Sequence, residues 1–516
     1  MNQSLLGFVL VEMIRIETES DPHVLRQVAR LLESENNRLQ EMVFRLRREL
    51  AELKGEEAPS LQAQIEGLEQ LLAQREQELF GRSSEKRDRD EKPEGDEKPK
   101  AKPRGRSGRT EQPQLPVVAV VHELDEADRP CPKCGLRLEE MAGQSEDSEE
   151  ITVVERRFEI RKHRRKKYRC RCNGHIETAE GPAKLMAGAR YSIDFAIEVA
   201  VAKYLDHNPL ERQVRIMERE GLDVTSQVLW GQIEALAKHL APTHEAIRRS
   251  VLESDVIGAD ETWWRMWGKE NPGKKRWYNW ALSCPHAVYF EIAPARGAPV
   301  ASKLLEGYCG IVMADGYGVY GSLAKSQPGI RLCNCWAHVR RKFFAVQSAF
   351  PVASKQILDL IDELFAIDAE AADGAVDRAS LLERRRKLRG EKSRCVIANI
   401  QRWVYAQTTL PESGLGKAIA YMAALWTGLI VFLDDPAVPL DNNATERALR
   451  GPVVGRKNYY GARSRRGTEV AALFYSLFET AKLRGEEPKA YLRRAVMAAI
   501  AAPGTVTLPE RLAEAA

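Results

Sequence analysis

Cysteine is scarce, with nine residues in 516, an odd number. That is too thin for a disulfide scaffold and fits a reducing compartment. Uncharged apolar runs of about 18 residues, the length of a membrane span, are lacking. The N-terminal LLGFVLVEMI has neither a basic leader nor a small-residue cleavage site. The expectation is a cytoplasmic chain with no membrane partner. A strong excess of one charge is also missing, since the formal net charge is +4 although 29% of residues are charged. Whole-chain charge therefore says little about nucleic acid, and local clusters of Lys and Arg say more. Apolar residues at 44% allow sizeable cores, and 516 residues imply several domains.

Leu25, Leu32, Leu39, Leu46 and Leu53 recur every seven residues along a stretch that reads as a helix over 23–54. With these at d, the a positions are Ala29, Asn36, Val43 and Leu50. Such a seam buries against a partner helix, and a single Asn at a fixes a dimeric register at some cost in stability. The alternative is an internal helical hairpin across Gly55 and Pro59, because leucines resume from Leu61 to Leu79. Residues 83–116 are rich in Lys, Arg, Glu, Pro and Gly and read as a flexible linker.

Cys131-Pro-Lys-Cys134-Gly has the form of a zinc-knuckle turn. A second pair, Cys170 and Cys172, follows after a gap of 35 residues. Four thiolates in two pairs suit a closed tetrahedral structural Zn²⁺ site, with Gly135 permitting the tight turn. The second pair is C-x-C, His175 is a possible substitute ligand, and free thiols are the alternative. The intervening ITVVERRFEIRKHRRKKYRC reads as two strands ending in a basic ribbon. Arg164, Arg165, Lys166 and Lys167 there form a phosphate-contacting surface in this reading. Further on, NPLERQVRIMEREGLDVTSQVLWGQIEAL reads helix, turn near Gly221, helix, with Thr225 or Ser226 as cap. That is the pattern of a helix-turn-helix, although ordinary helix pairs share it.

From residue 255 the periodicity changes. A short apolar run ends in Asp260, and 277–283 and 287–293 form a hairpin around Cys-Pro-His. A helix covers 298–306, GIVMAD is a buried strand ending in Asp315, and IRLCNC is another strand before a helix from Trp336. Three strands, helix, strand, helix, strand, helix is the ribonuclease-H-like order, which makes the strands carrying Asp260 and Asp315 neighbours. Phosphodiester chemistry by two metal ions needs a few carboxylates on adjacent elements, and Mg²⁺ (or Mn²⁺) takes hard oxygen ligands. A third carboxylate should come from a later helix. Glu446 in PLDNNATERALRG is the best placed, with Asp441 or Asn442 as cap and Arg447, Arg450, Arg456 and Lys457 as phosphate partners. Glu469 and Glu479 are the next choices. Cys333, Cys335 and His338 are either a second metal site or core residues, and Trp263 and Trp264 either stack on a base or lie in the core.

The ordered stretches LFGRSSEKR (79–87), CPKCG (131–135), YRCRC (168–172), NPLERQ (208–213), ADET (259–262), ADGYGVY (314–320), CWAHVRRKF (335–343), DNNATERALR (441–450), GRKNYYGARSRRG (455–467) and YSLFETAKLRGEEPKAYL (475–492) are similar to those of insertion-sequence sixty-six family transposases of the DDE type. The resemblance covers nearly the whole chain. It implies that Asp260, Asp315 and Glu446 are the DDE residues, and that a zinc element, a helix-turn-helix and an N-terminal leucine zipper accompany them. It also implies transposon-end and target DNA as partners, and small accessory proteins of the same element. The 130 residues between Asp315 and Glu446 leave room for a helical insertion.

The expected organisation is multidomain α+β. It runs as a coiled coil (1–82), linker (83–116), zinc-binding β element (117–182), helix-turn-helix region (183–250), ribonuclease-H-like core (251–349), helical insertion (350–430) and a core C-terminal part carrying Glu446 (431–516). A homodimer or higher oligomer, associated with the nucleoid when on DNA, is expected on this reading. Two other readings compete with it. One is a DNA-binding regulator without catalysis, and the other a ribonuclease-H-like nuclease that cuts without joining.

Overall fold

The computed structural model describes residues 157–510 apart from 170–174, 269 and 272–275, together with Lys133 and Leu136. The leucine heptads, the linker and Cys131, Cys134, Cys170 and Cys172 lie outside the described residues. Every strand and helix from Lys167 onward belongs to one unit.

Strands β1 (Lys167–Arg169) and β2 (Ile176–Thr178) pair antiparallel, Tyr168 opposite Glu177. The basic segment before them forms no second strand over its described part, 157–166. Like charges on successive residues repel, and its side chains from Glu159 to Lys167 are exposed.

Three helices follow, α1 (Ile193–Tyr204), α2 (Leu210–Arg219) and α3 (Ser226–Leu252). Gly221 adopts φ +83° in the turn between α2 and α3, a conformation that favours glycine. The Thr225 hydroxyl caps α3 by accepting from Val228 N at 3.3 Å. Helix α3 runs well past the expected pair, because Leu229, Ile233, Leu236, Leu240, Ile247 and Val251 form an apolar stripe buried in the core.

The central sheet has five strands: β3 (Val256–Trp264), β4 (Trp277–Cys284), β5 (Ala287–Ala293), β6 (Gly310–Ala314) and β7 (Ile330–Asn334). Their spatial order is β5-β4-β3-β6-β7, with β3–β4 and β4–β5 antiparallel and β3–β6 and β6–β7 parallel. The helices between them are α4 (Ala298–Leu304), α5 (Gly318–Ser326) and α6 (Trp336–Phe344), which matches the element order expected from periodicity. A run of helices comes next: α7 (Pro351–Asp373), α8 (Arg378–Leu388), a π turn (Arg389–Ser393), α9 (Arg394–Tyr405) and α10 (Gly414–Leu429). The chain ends with α11 (Asn443–Tyr459), α12 (Arg465–Leu483) and α13 (Pro488–Ala501).

Alternation along the strands supplies two cores. Ile257, Ala259, Val312 and Ala314 join one with Phe474, Leu477 and Phe478 of α12. Ile311 and Met313 join another with Trp336, Ile357, Ile361, Ile400 and Met422. Each fully buried Phe or Leu contributes about 2 kcal/mol, so the sheet is held from both sides. Segment 414–433 is the one described stretch apolar and long enough to cross a membrane, but Leu415, Met422 and Leu429 pack into the second core. Buried Arg389 pins these helices. It grips Asp368 at 2.7 and 2.8 Å and donates to the carbonyls of Phe432 and Val438, just ahead of α11.

Candidate active site

Side chains on β3 alternate, so Asp260 faces one side of the sheet and Glu261 the other. The apolar run does not end at Asp260 as expected. The strand continues to Trp264, because Glu261, Thr262, Trp263 and Trp264 all pair with β4. Asp260 thus sits mid-strand, on rigid backbone.

Asp315 follows β6 directly. The parallel register pairs Val256 with Ile311 and Gly258 with Met313. Continued by two residues, it sets Asp260 beside Asp315 on the same face. The Asp315 carboxylate accepts from Tyr317 N at 2.8 Å, and its carbonyl accepts from the Tyr421 hydroxyl at 2.8 Å.

Glu446 lies in the first turn of α11. Asn442 occupies the cap position, but its side chain does not cap the helix. It donates instead to the carbonyl of Ala259 at 2.9 Å, one residue before Asp260. Thr445 donates to Asn442 Oδ1 at 2.7 Å, and the Ser283 hydroxyl lies 2.7 Å from Thr445 Oγ1. This chain of hydrogen bonds passes over Gly258, where the absent side chain lets α11 approach the sheet. A Cβ there would stand 2.1 Å from Thr445 Oγ1.

The three carboxylates share one electrostatic neighbourhood. Burial pushes the Asp260 carboxyl up to about 7, the backbone N–H of Glu261 opposes that shift, and Glu261, Asp315 and Glu446 add to it. Glu446 Oε1 is buried without a hydrogen-bond partner. His338, on the first turn of α6, points its Nε2 to within 3.6 Å of that oxygen. Burial lowers the pKa of His338, against the pull of nearby Glu446 and Asp315.

As a donor set these all-oxygen carboxylates suit a hard divalent cation, which would relieve their mutual repulsion. The side chains do not close round one point, and no group of three His, Cys, Asp or Glu among the described residues forms a cage. Asp260 and Asp315 each commit one oxygen to a backbone N–H. Mg²⁺ retains several waters and needs only one or two carboxylates, so this donor set still fits it.

A pH effect arises from Asp260. Its folded pKa lies above the value of about 3.9 in an unfolded chain. Without divalent metal, the stability from this protonated carboxyl is complete below pH ~4 and is lost as pH rises through ~7, at up to about 1.4 kcal/mol per unit. Asp260→Asn carries no charge to repel, so it is expected to be more stable than wild type at pH 8 in chelator and alike at pH 4. Urea melts at both values measure this, and equal pH slopes for the two proteins would overturn it.

The neighbouring cations are sorted by exposure. Arg447, Arg450 and Lys457 on α11 are exposed, as are Arg463 and Arg465 after it and Arg341 and Lys342 on α6. Arg456 corrects the expectation of a phosphate contact. It is buried, donates to Thr262 Oγ1 at 3.1 Å and to the carbonyl of Trp263, and stacks on the Trp263 ring at 3.9 Å. Its work is to clamp α11 to β3. The basic loop is fastened there too, Ala462 donating to the Arg265 carbonyl at 3.0 Å and accepting from Trp267 N at 2.8 Å. Trp264 is core and Trp263 is half-exposed.

Arg164, Arg165, Lys166 and Lys167 are exposed, and Arg165 donates to the carbonyl of Ala179 at 2.6 Å. His175 lies 2.9 Å from Glu177 Oε2. Cys333 and Cys335 are buried core thiols, pushed up by burial to about 12 and about 11, so they make poor thiolate ligands. Glu469 and Glu479 pair with Arg466 and Lys482 on their own helix, at 3.2 and 2.9 Å.

Sequence reading missed the part of His338 beside Glu446, and the clamp of Gly258, Asn442 and Thr445. The repeated Asn and small residue of DNNAT were the signal for that clamp, because such residues admit close contact.

Comparison with known proteins places the chain in a family. Residues 188–470 match the Transposase IS66 family, and residues 128–173 match the zinc-finger binding domain of transposase IS66. The chain is 29% identical over 422 residues to "Uncharacterized protein y4jD" of Sinorhizobium fredii, covering 77% of this chain and 80% of the relative. It is also 29% identical over 415 residues to "Uncharacterized protein y4qI" of the same organism, covering 77% and 74%. With the family match running across the sheet, both aspartates and Glu446, the chain belongs to the IS66 family of transposases.

Proposed function

We propose that this transposase cuts and joins insertion-sequence ends by DDE chemistry, with Asp260, Asp315 and Glu446 holding Mg²⁺ or Mn²⁺. The observation that carries the reading is geometric: the β3–β6 register and the Asn442–Ala259 hydrogen bond bring Asp260, Asp315 and the helix turn of Glu446 to one place, across gaps of 54 and 130 residues. The sheet order β5-β4-β3-β6-β7, with its second strand antiparallel to the first, supports a ribonuclease-H-like core. When bound, the metal pair activates the attacking oxygen and stabilises the leaving one. The protein's part is to hold the carboxylates on a strand, a strand end and a helix turn, and to offer exposed cations to the DNA phosphates. A purified-protein assay of cleavage and joining on the element's own ends tests the reading. Cleavage without joining would favour a nuclease, and binding alone would favour a regulator.

DNA recognition is proposed to involve the zinc element with its basic ribbon and the α2–turn–α3 pair. The buried stripe of α3 leaves its N-terminal turn, around Gln227, as the part free to reach DNA. Self-association is assigned to the heptads at 23–54. Zinc is assigned to Cys131, Cys134, Cys170 and Cys172. Metal analysis of the full chain is expected to give one zinc per chain, and Cys131→Ser to lose most of it, since a structural site needs all four ligands. Unchanged zinc content would exclude this ligand set.

A further inference from the structure

We propose that His338 is a positioning residue of the catalytic centre, aiming the Glu446 carboxylate so that its other oxygen is left for a divalent cation; this rests on the reading of Glu446 as a metal-holding residue.

The segment that carries His338 is anchored on two sides. Cys335 N donates to the carbonyl of Ala314, the residue before Asp315, at 3.2 Å. Its Sγ accepts from the backbone N of Asn442, the cap of the Glu446 helix, at 3.3 Å. Trp336 N donates to the carbonyl of Leu440 at 2.9 Å, and the Trp336 indole donates to the carbonyl of Leu429 at 2.9 Å. Residues 335 and 336 therefore join the backbone at Asp315 to the backbone entering α11. His338 stands two residues further, on the helix they anchor.

From there the imidazole meets Glu446 at 3.6 Å, beyond hydrogen-bond length but within reach of a small turn of the carboxylate. Glu446 Oε1 and His338 Nδ1 are both buried without partners. A buried carboxylate oxygen without a donor is costly, and the imidazole is the group facing it. Closing that contact through Nε2–H would satisfy Oε1 and restrict the carboxylate to one orientation. Carboxylate ligands oriented by an outer hydrogen bond are the usual arrangement in metal centres. The competing role for His338, as a ligand beside Cys333 and Cys335, does not fit, because both thiols lie in the core.

The test uses the full chain and Mn²⁺ as probe. The binding midpoint is read from the electron paramagnetic resonance of free Mn²⁺, with cleavage of end DNA at saturating Mn²⁺ as second readout. His338→Ala is expected to raise the midpoint about 10- to 100-fold, with melting temperature in chelator and metal-free DNA binding unchanged. His338→Gln carries an amide that can stand in for Nε2–H, and is expected to recover most of the loss. A wild-type midpoint in His338→Ala, with a raised one in Glu446→Gln, overturns the inference and leaves the DDE reading standing. An unchanged midpoint in Glu446→Gln overturns the role of Glu446 itself. Equal defects in both His338 variants with a lowered melting temperature assign His338 to folding alone, and also overturn the inference.

Discussion

Asp260→Asn, Asp315→Asn and Glu446→Gln are each expected to reduce end cleavage and strand joining by about a thousandfold or more, a loss of about 4 kcal/mol of transition-state stabilisation. Each change keeps the side chain's shape and removes the charge that retains a divalent cation. DNA-end binding should survive, because the cations proposed to contact phosphate, such as Arg447, Arg450 and Lys457, are exposed and unaltered. Glu469→Gln serves as the control, since Glu469 is exposed beside Arg466 on α12. A gel assay on labelled ends, with binding measured in parallel, separates the two steps. Near-normal cleavage by any of the three variants would remove that residue from the proposed triad.

Why the proposed triad could be named from sequence, while the contacts around it could not, is a matter of range. The strands around Asp260 and Asp315 carry local signals: apolar runs, β-branched and aromatic residues, and a hairpin turn at Cys-Pro-His. Element order then implied that the two strands were neighbours, and the observed register agrees. Glu446 stands out by the capping Asp441 or Asn442 before it and the run of Arg and Lys after it, and the resemblance to family motifs implies the same residue.

Three-dimensional packing decided the rest. Arg456 reads as one more cation in GRKNYYGARSRRG, and only the docking of α11 on β3 buries it. Cys333, Cys335 and His338 have ligand-like spacing, but the strand and helix turn the thiols into the core and the imidazole toward Glu446. Glu261 and Asp260 are adjacent and equally acidic, yet strand alternation gives them different work. Glu261 is buried, accepts from Arg296 at 2.7 Å and from the Tyr320 hydroxyl at 2.8 Å, and lies on the opposite face from Asp260. Arg296 in turn stacks on Tyr317, whose N–H holds Asp315. Truncating Glu261 would therefore disturb the loop at Asp315.

The same dependence on close packing makes Gly258 an exacting position beside the proposed triad. Gly258→Ala is expected both to destabilise the protein and to lower cleavage, although Gly258 carries no chemistry. The new Cβ would lie 2.1 Å from Thr445 Oγ1, 2.7 Å from Asn442 Oδ1 and 2.9 Å from Ser283 Oγ. None of these atoms can swing aside without loss, because they are linked in one buried hydrogen-bond chain that ends on the carbonyl of Ala259. The helix must lift instead. Overpacking of this kind costs about 1–3 kcal/mol, and a broken buried hydrogen bond adds about 1 kcal/mol. Lifting α11 also moves Glu446 away from Asp260, and a shift of about 1 Å in a catalytic group can cost about a hundredfold in rate. Thr445→Ala removes the closest of the three atoms. The double variant Gly258→Ala/Thr445→Ala is therefore expected to be less destabilised than the sum of the two single changes, as coupled neighbours require. Thermal melts and single-turnover cleavage for the four proteins of this cycle measure both effects. Wild-type melting and cleavage by Gly258→Ala, or strict additivity in the double variant, would mean that α11 does not rest on β3 through this glycine.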